Sequence, residues 1–466
     1  MKLKHLIVAT AVASLGSVSA ASGDHYADFP VTLNGYDGDA TTSVAYTGQM
    51  ARHVLHNSLK KLAGSGTGDN ADELLEQMLA YFEGGDSLDI IDPASKSGFA
   101  IKQSEVDAIS TGKNLSGKAY GGYVTGWPGQ MTGAEVLRFM IEKAAETEGG
   151  YDPVNGYNYA QLISKFAMGA VFYNQAVDNY LDERIEGDVK PNDKPYGEGD
   201  HYTGKEHVWD EGFGYFGAPA HALSLDAATA YSIAKQDPDV FDEADYNGDG
   251  VVDLVTEMTY AHAYYAANAD KGGQSNYLNT IMQAFIDGRQ LIADADGEKL
   301  SDDELDQLQG YADTIKSNWE RVIAEAAFKY AGSVYSDAMA LHEAVEEGDS
   351  VVDLMPTYVK HWGELKGFAL SLQTGGKDLG SVGVQLDRLI GFGPVLLGST
   401  QVTGIDGDGD YIQSESITLK EYALNMLEVQ KLLSQNFHLV ARSNDRLGNL
   451  ESLSEQLESG ANVEND

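Results

Sequence analysis

The chain has 466 residues, 42% of them hydrophobic, with 72 acidic against 31 basic side chains and a formal net charge of −41. Such acidity argues against nucleic acid and anionic membrane surfaces as partners, and it suits a soluble surface in a salty medium. The absence of cysteine excludes disulfides, thiolate metal sites, a cysteine nucleophile and a lipid-attachment cysteine.

Residues 1–20 read as an export signal. Lys2 and Lys4 precede an apolar run from Leu6 to Leu15, and Val18-Ser19-Ala20 offers a small-residue cleavage site. The expected location is therefore periplasmic or secreted, after cleavage near Ala20, and no later apolar run reaches the length of a membrane span. An N-terminal extension (21–45) leads into helical territory. Helices are expected near 43–62, 71–82, 132–146, 224–235, 255–269, 276–294, 302–346, 350–373 and 417–437. A further stripe of Leu162, Phe166, Gly169, Tyr173, Val177 and Tyr180, at steps of three or four, marks a long helix. Ser301-Asp302-Asp303-Glu304 and Thr418-Leu419-Lys420-Glu421 are capping-box starts. Glycine-rich and polar loops separate the helices at 64–70, 110–130, 186–204 and 375–382, and alternation of the strand type is scarce. The expected fold is all-α: a two-lobed helical bundle with long loops. The first lobe covers 46–244, a calcium-type loop 245–257, the second lobe 258–440 and an acidic tail 441–466.

Two stretches concentrate the chemistry, His207-Val208-Trp209-Asp210-Glu211 and His361-Trp362-Gly363-Glu364. Side chains three or four apart share a helix face, so His207 can meet Asp210 and Glu211, and His361 can meet Glu364. Imidazole and carboxylate together suit iron, zinc or manganese, and ligands from two helices would complete such a site. The bland alternative has the histidines bonded within the core, Trp209 and Trp362 filling it, and the acids paired with Lys205, Lys360 or Lys366. Gly212, Gly214 and Gly217 imply close packing or a broken helix.

Asp245, Asn247, Asp249, Val251 and Asp253 alternate around a glycine at the sixth place, Gly250, as in a calcium loop. Thr256 stands where the bidentate glutamate belongs and Glu257 follows it, which implies a looser, structural calcium site. Asp406, Asp408 and Asp410 form a possible second calcium set, or a turn before a C-terminal helix. Gly112 to Ala119 nearly spells a phosphate-binding loop, but Ala119 replaces the hydroxyl residue and no strand precedes it. His53 and His56 are expected on an exposed face, and His262 in an aromatic core or a tyrosine-lined cleft. There is no Gly-x-Ser-x-Gly elbow and no His-Glu-x-x-His pair.

The block from His207 to Gly217, with Trp362 to Phe368, Gln161 to Ile163, Met168 to Gln175 and Tyr46 to Arg52, resembles an exported bacterial family, domain-of-unknown-function family 4856, over about residues 28 to 440. More distantly the chain resembles the imelysin proteins, exported helical proteins with two bundle-like halves, linked to iron uptake and carrying Gly-x-His-x-x-Glu. Here Gly204 stands three before His207, and Asp210 takes the place of the motif glutamate. The resemblance implies an imelysin-like helical fold with His207 and Asp210 at the site. The expected function is a non-catalytic, metal-associated binding protein, with His207, Asp210, Glu211, His361 and Glu364 converging on iron or zinc and with calcium in the 245–257 loop. A metallopeptidase-like enzyme and a purely structural or partner-binding scaffold are the alternatives. The expected partners are a metal ion and another exported or outer-membrane protein.

Overall fold

Four helices begin with a hydroxyl residue whose side chain accepts from the backbone N–H three residues on, while the glutamate there reaches back to the cap: Thr132/Glu135, Thr203/Glu206, Ser301/Glu304 and Thr418/Glu421. Around such starts a computed structural model of the chain, describing residues 25–463, is mainly helical. The expected signal segment and its cleavage point lie outside the described residues.

In chain order the helices are α1 (Thr47–Ala63), α2 (Ala71–Glu83), α3 (Gly133–Ala145), α4 (Tyr159–Ala167), α5 (Gly204–Phe216), α6 (Ala227–Ala234), α7 (Phe241–Ala244), α8 (Ala261–Asp270), α9 (Tyr277–Asp294), α10 (Asp302–Glu347), α11 (Leu354–Ser371), α12 (Gly380–Ile390), α13 (Leu419–Phe437) and α14 (Leu450–Val463). Two antiparallel hairpins join them, β1 (Tyr151–Asp152) with β2 (Tyr157–Asn158), and β3 (Thr400–Ile405) with β4 (Tyr411–Glu415). The spine is α10, 46 residues and roughly 69 Å long at the usual rise. Against it pack α8, α9, α11 and α13. One continuous apolar core runs from Tyr26 to Leu453. No helix among the described residues is long and apolar enough to cross a membrane.

The expected long helix after Tyr159 is present, with a change of pitch: from Met168 to Tyr180 it takes the wider π form, closing with Leu181 N–H on the Ala176 carbonyl five residues back. The segment presses on α5 and α11 and carries Tyr173 and Asp178 to the loop at 375–376. Helix α5 is unbroken through Gly212 and Gly214 and stops at Gly217, which takes the left-handed conformation (φ 82°). Both interior glycines are close-packing positions; a Cβ on Gly214 would lie 2.8 Å from side-chain carbons of Tyr46 and Gln49.

The expected helix at 43–62 starts at Thr47 because Ser43 and the Ala45 N–H are engaged by acids of α5. Similarly, 255–260 is drawn out of α8 by Glu257, which bonds back to the 245–253 loop. The β3–β4 hairpin was not legible because only Val402 of β3 is buried, so no apolar alternation marks it.

His53 and His56 are buried, correcting the exposed face expected for them. Helix α1 lies among α2, α4 and α5, and the rings bond the carbonyls of Gly214 and Ser164, each at 2.9 Å. Burial pushes His53 down to about 3, and His56 and His221 each down to about 4. The fold thus holds them neutral, whereas the unfolded chain protonates them below pH ~6.5. Between pH ~6.5 and ~4 the unfolded state binds the extra protons, so each histidine removes ~1.4 kcal/mol of stability per pH unit as the pH falls. Buried carboxylates raised by desolvation act in the opposite sense, which makes a difference measurement the clean one. Denaturant titrations from pH 7 to 4 should show His53→Gln losing less stability than the wild type across that window. Equal losses would contradict a neutral buried His53.

Candidate functional site

The first histidine stretch lies on α5, and its acids divide between two faces. Residues four apart nearly eclipse on a helix, whereas neighbours are rotated by about 100°. Glu206 and Asp210 therefore point one way, His207 and Glu211 another.

Glu206 and Asp210 meet Arg289 of α9, and none of the three is exposed. Asp210 Oδ1 accepts from Arg289 Nε and from the Tyr26 hydroxyl, both at 2.9 Å, and Oδ2 accepts from Ala45 N–H at 3.0 Å. Glu206 Oε1 accepts from Arg289 Nη1 (3.1 Å), Ser43 Oγ (2.9 Å) and Thr32 Oγ1 (3.0 Å), while Oε2 caps α5 through Thr203 N–H (2.8 Å). The guanidinium also sits 5.0 Å from the centre of the Phe29 ring. Burial pushes the Asp210 carboxyl upward, against the pull of Arg289, the Ala45 N–H and Tyr26. Both Asp210 oxygens have donors, so this side chain is a brace and is not available as the expected metal ligand.

His207 lies under the 186–204 loop, its ring 4.1 Å from Tyr196 and stacked on Tyr202 at 4.7 Å. Its Nε2 is 3.6 Å from Glu211 Oε2, and Gln49 Nε2 donates to Glu211 Oε1 at 2.8 Å. His207 Nδ1 and Glu211 Oε2 are buried without a hydrogen-bond partner among the described residues. Burial lowers the His207 pKa, which favours neutral imidazole.

The second stretch has different company. His361 Nδ1 is 2.7 Å from Asp337 Oδ2, and Glu364 accepts from the Tyr330 hydroxyl at 3.1 Å. None of these neighbours is shared with His207, and among the described residues no three His, Asp or Glu side chains converge to hold a metal. The five expected ligands are thus distributed over three places. Trp209 and Trp362 are core residues, donating to the Phe285 carbonyl (2.8 Å) and the Tyr422 hydroxyl (2.9 Å). Lys205 and Lys366 donate to the carbonyls of Ile185 and Gly391 rather than pairing with the motif acids.

The 245–257 loop is wound around its own acids, with Gly248 and Gly250 at positive φ. Asp245 accepts from Asp249 N–H (3.0 Å) and Gly250 N–H (2.8 Å), Asn247 from Asp249 N–H (2.9 Å), and Asp249 from Val251 N–H (3.1 Å). Glu257 spans the loop, accepting from Asn247 N–H (3.2 Å) and Asp253 N–H (2.7 Å). Asp253 is held by Lys102 (2.8 Å) and Gln103 (2.9 Å). Asp406, Asp408 and Asp410 form the β3–β4 turn, where Asp406 Oδ1 accepts from the N–H groups of Asp408 and Asp410, both at 2.9 Å.

A cleft of about 920 Å³ opens between α12, β3, the 120–125 segment and the 376–380 loop. Tyr120, Tyr123 and Phe392 supply rings, and Asp178, Asp387, Arg388, Gln373 and Gln401 supply polar groups. Thr125 Oγ1 donates to Asp387 Oδ2 at 2.9 Å, which sets the carboxylate in place. Tyr123 stands at the rim, 70% exposed.

Residues 140–332 match the model of the family described as Domain of unknown function (DUF4856). The chain carries a DUF4856 domain. Comparison with curated proteins found no match, and comparison with solved structures found none. The DUF4856 segment contains Glu206, His207, Asp210, Glu211, Arg289 and the 245–257 loop. His361, Glu364, α12 and the β3–β4 hairpin lie beyond it.

Arg289 was the residue that motif reading missed. Its signal was a cation within the apolar stripe of Phe285, Arg289 and Ile292 on α9. Replacing it leaves two buried carboxylates without their counter-ion, a loss of about 3–5 kcal/mol. Arg289→Met should therefore lower the unfolding free energy in urea by an amount of that order, and Asp210→Asn by less. A near-neutral Arg289→Met would remove the brace from the account.

Proposed function

We propose that the chain works as an exported, non-catalytic binding protein whose ligand is a small neutral polyhydroxylated molecule, sugar-like in character, held in the cleft between α12 and β3. The observation that carries this reading is the lining of that cleft. Its size falls in the range of organic-ligand sites. Carboxylate and amide oxygens accept from hydroxyl groups, aromatic rings cover the apolar face of a sugar ring, and the mixed charges of Asp178, Asp387 and Arg388 favour a neutral guest over an ionic one.

Calcium at 245–257 belongs to the same proposal as a structural element. Asp245, Asn247, Asp249, the Val251 carbonyl and Glu257 keep acceptor capacity after the backbone bonds described above, whereas Asp253 is engaged by Lys102; the acids do not converge as they stand, so the ion itself would draw the loop's oxygens together. One observation also favours a divalent ion at His207 and Glu211. The 3.6 Å separation is long for a hydrogen bond and short enough for two ligands of one ion, whose bonds run about 2.0–2.2 Å.

Titration calorimetry of the whole protein with neutral mono- and oligosaccharides should find a binder that Tyr123→Ala or Asp387→Asn weakens about tenfold, ~1.4 kcal/mol each. Binding indifferent to both substitutions would remove the cleft from the proposal. Elemental analysis should find any transition metal lost in His207→Ala and retained in His361→Ala. Added calcium should raise the melting temperature of the wild type more than that of Asp249→Ala.

A further inference from the structure

In a chain with more than twice as many acids as bases, Lys102, Lys299 and Lys377 lie beside carboxylates, whereas most of the described lysines do not. Six of the unpaired ones gather around Tyr231, Tyr264, Tyr265 and Tyr330. They are Lys60 of α1, Lys165 of α4, Lys235 and Lys271 directly after α6 and α8, Lys329 of α10 and Lys360 of α11. Among the described residues, none of the six has a carboxylate oxygen within 4.0 Å, the limit for all the ion pairs recorded in this protein.

The innermost of the six is buried. Lys165 is only 3% exposed, with its Nζ 3.4 Å from Ser164 Oγ and 5.6 Å from the centre of the Tyr265 ring. Of the carboxylates nearby, Glu364 is held by the Tyr330 hydroxyl, and Asp92 acts on Lys60. Tyr231 and Tyr264 stack at 4.9 Å. Over Tyr231 lie Lys271 at 3.8 Å and Lys235 at 5.7 Å, and Lys329 lies 5.3 Å from the Tyr330 ring. The lysines are close enough to repel one another. Burial lowers the Lys165 pKa far below the usual lysine range, and Lys60, Lys235 and Lys360 depress it further against Glu364.

A run of lysines on one solvated helix would need no explanation. These come from six elements between positions 60 and 360, so the tertiary fold gathers them, and gathering unpaired cations costs stability unless an anion completes the set. We propose that this lysine cluster binds a polyvalent oxyanion of the phosphate type, free or as the monoester of a small molecule. Lys165 and Lys60 take its inner oxygens, and Lys235, Lys271 and Lys329 close over it from the rim. Lysine serves such a ligand as a point charge, and the stacked tyrosines offer a face to whatever an ester carries. The cluster shares no residue with the cleft between α12 and β3, so it stands or falls independently of the reading above.

The test is titration calorimetry of the whole protein with inorganic phosphate and, separately, with phenyl phosphate. Wild type and Lys299→Met, an ion-paired control, should bind at least one of them equally, and Lys165→Met should bind at least tenfold more weakly. In phosphate-free buffer Lys165→Met should melt at or above the wild-type temperature, because a buried amine without an ion-pair partner has been replaced by an apolar side chain. Tighter binding of phenyl phosphate than of phosphate would identify an ester as the ligand class, and equal binding would identify the free ion. The exposed pair Lys235→Gln and Lys271→Gln gives a second reading, with the same direction expected, should Lys165→Met fold poorly. Absence of binding to both probes, or equal affinity in wild type and every lysine variant of the cluster, overturns the proposal.

Discussion

Arg289 holds together three parts of the chain that have no covalent reason to meet. Its guanidinium, carried by α9, bonds Glu206 and Asp210 of α5, and those acids in turn fix Ser43, Ala45, Thr32 and Tyr26 of the segment leading into α1. Ion pairs in an apolar interior are costly to desolvate and are tolerated only when nearly every lone pair is met. Here both carboxylates have donors on each oxygen, and Glu206 doubles as the capping residue of α5. The pairing therefore fixes the rotation of α5 about its own axis as well as its position.

That rotation decides what the histidine motif can do. With Glu206 and Asp210 committed to Arg289, His207 and Glu211 are turned toward the 186–204 loop, where Tyr196 and Tyr202 enclose the imidazole. The motif thus combines an ion-paired half in the core with a half enclosed under the 186–204 loop, interleaved on one helix. Trp209, between them, packs against Phe285 of the helix that carries Arg289.

Charge is distributed unevenly over the fold. Carboxylates wind the 245–257 and 406–410 turns, whereas six lysines without carboxylate partners gather between α1, α4, α6, α8, α10 and α11. The DUF4856 segment supplies the Arg289 brace, and the cleft draws mainly on residues after it, from 373 to 403. Helix α10, the last element within the segment, continues beyond residue 332 and passes the core on to α11 and α13.

Helical character, most helix positions and two of the four capping boxes could be read from the residues, because apolar spacing and cap chemistry are local properties of a short window. The two tryptophans and the core setting of His262, buried against Trp319, were legible for the same reason. The π pitch after Met168, the burial of His53 and His56, the division of Asp210 from Glu211 and the assembly of six distant lysines were not. Each depends on which helix lies opposite, and spacing along one chain segment carries no information about that. The sequence alone determined which segments are helical and which side chains share a face; only tertiary packing decided which of those faces met, since Arg289, nearly eighty residues from Asp210, selects the partner through a charge that cannot be buried alone.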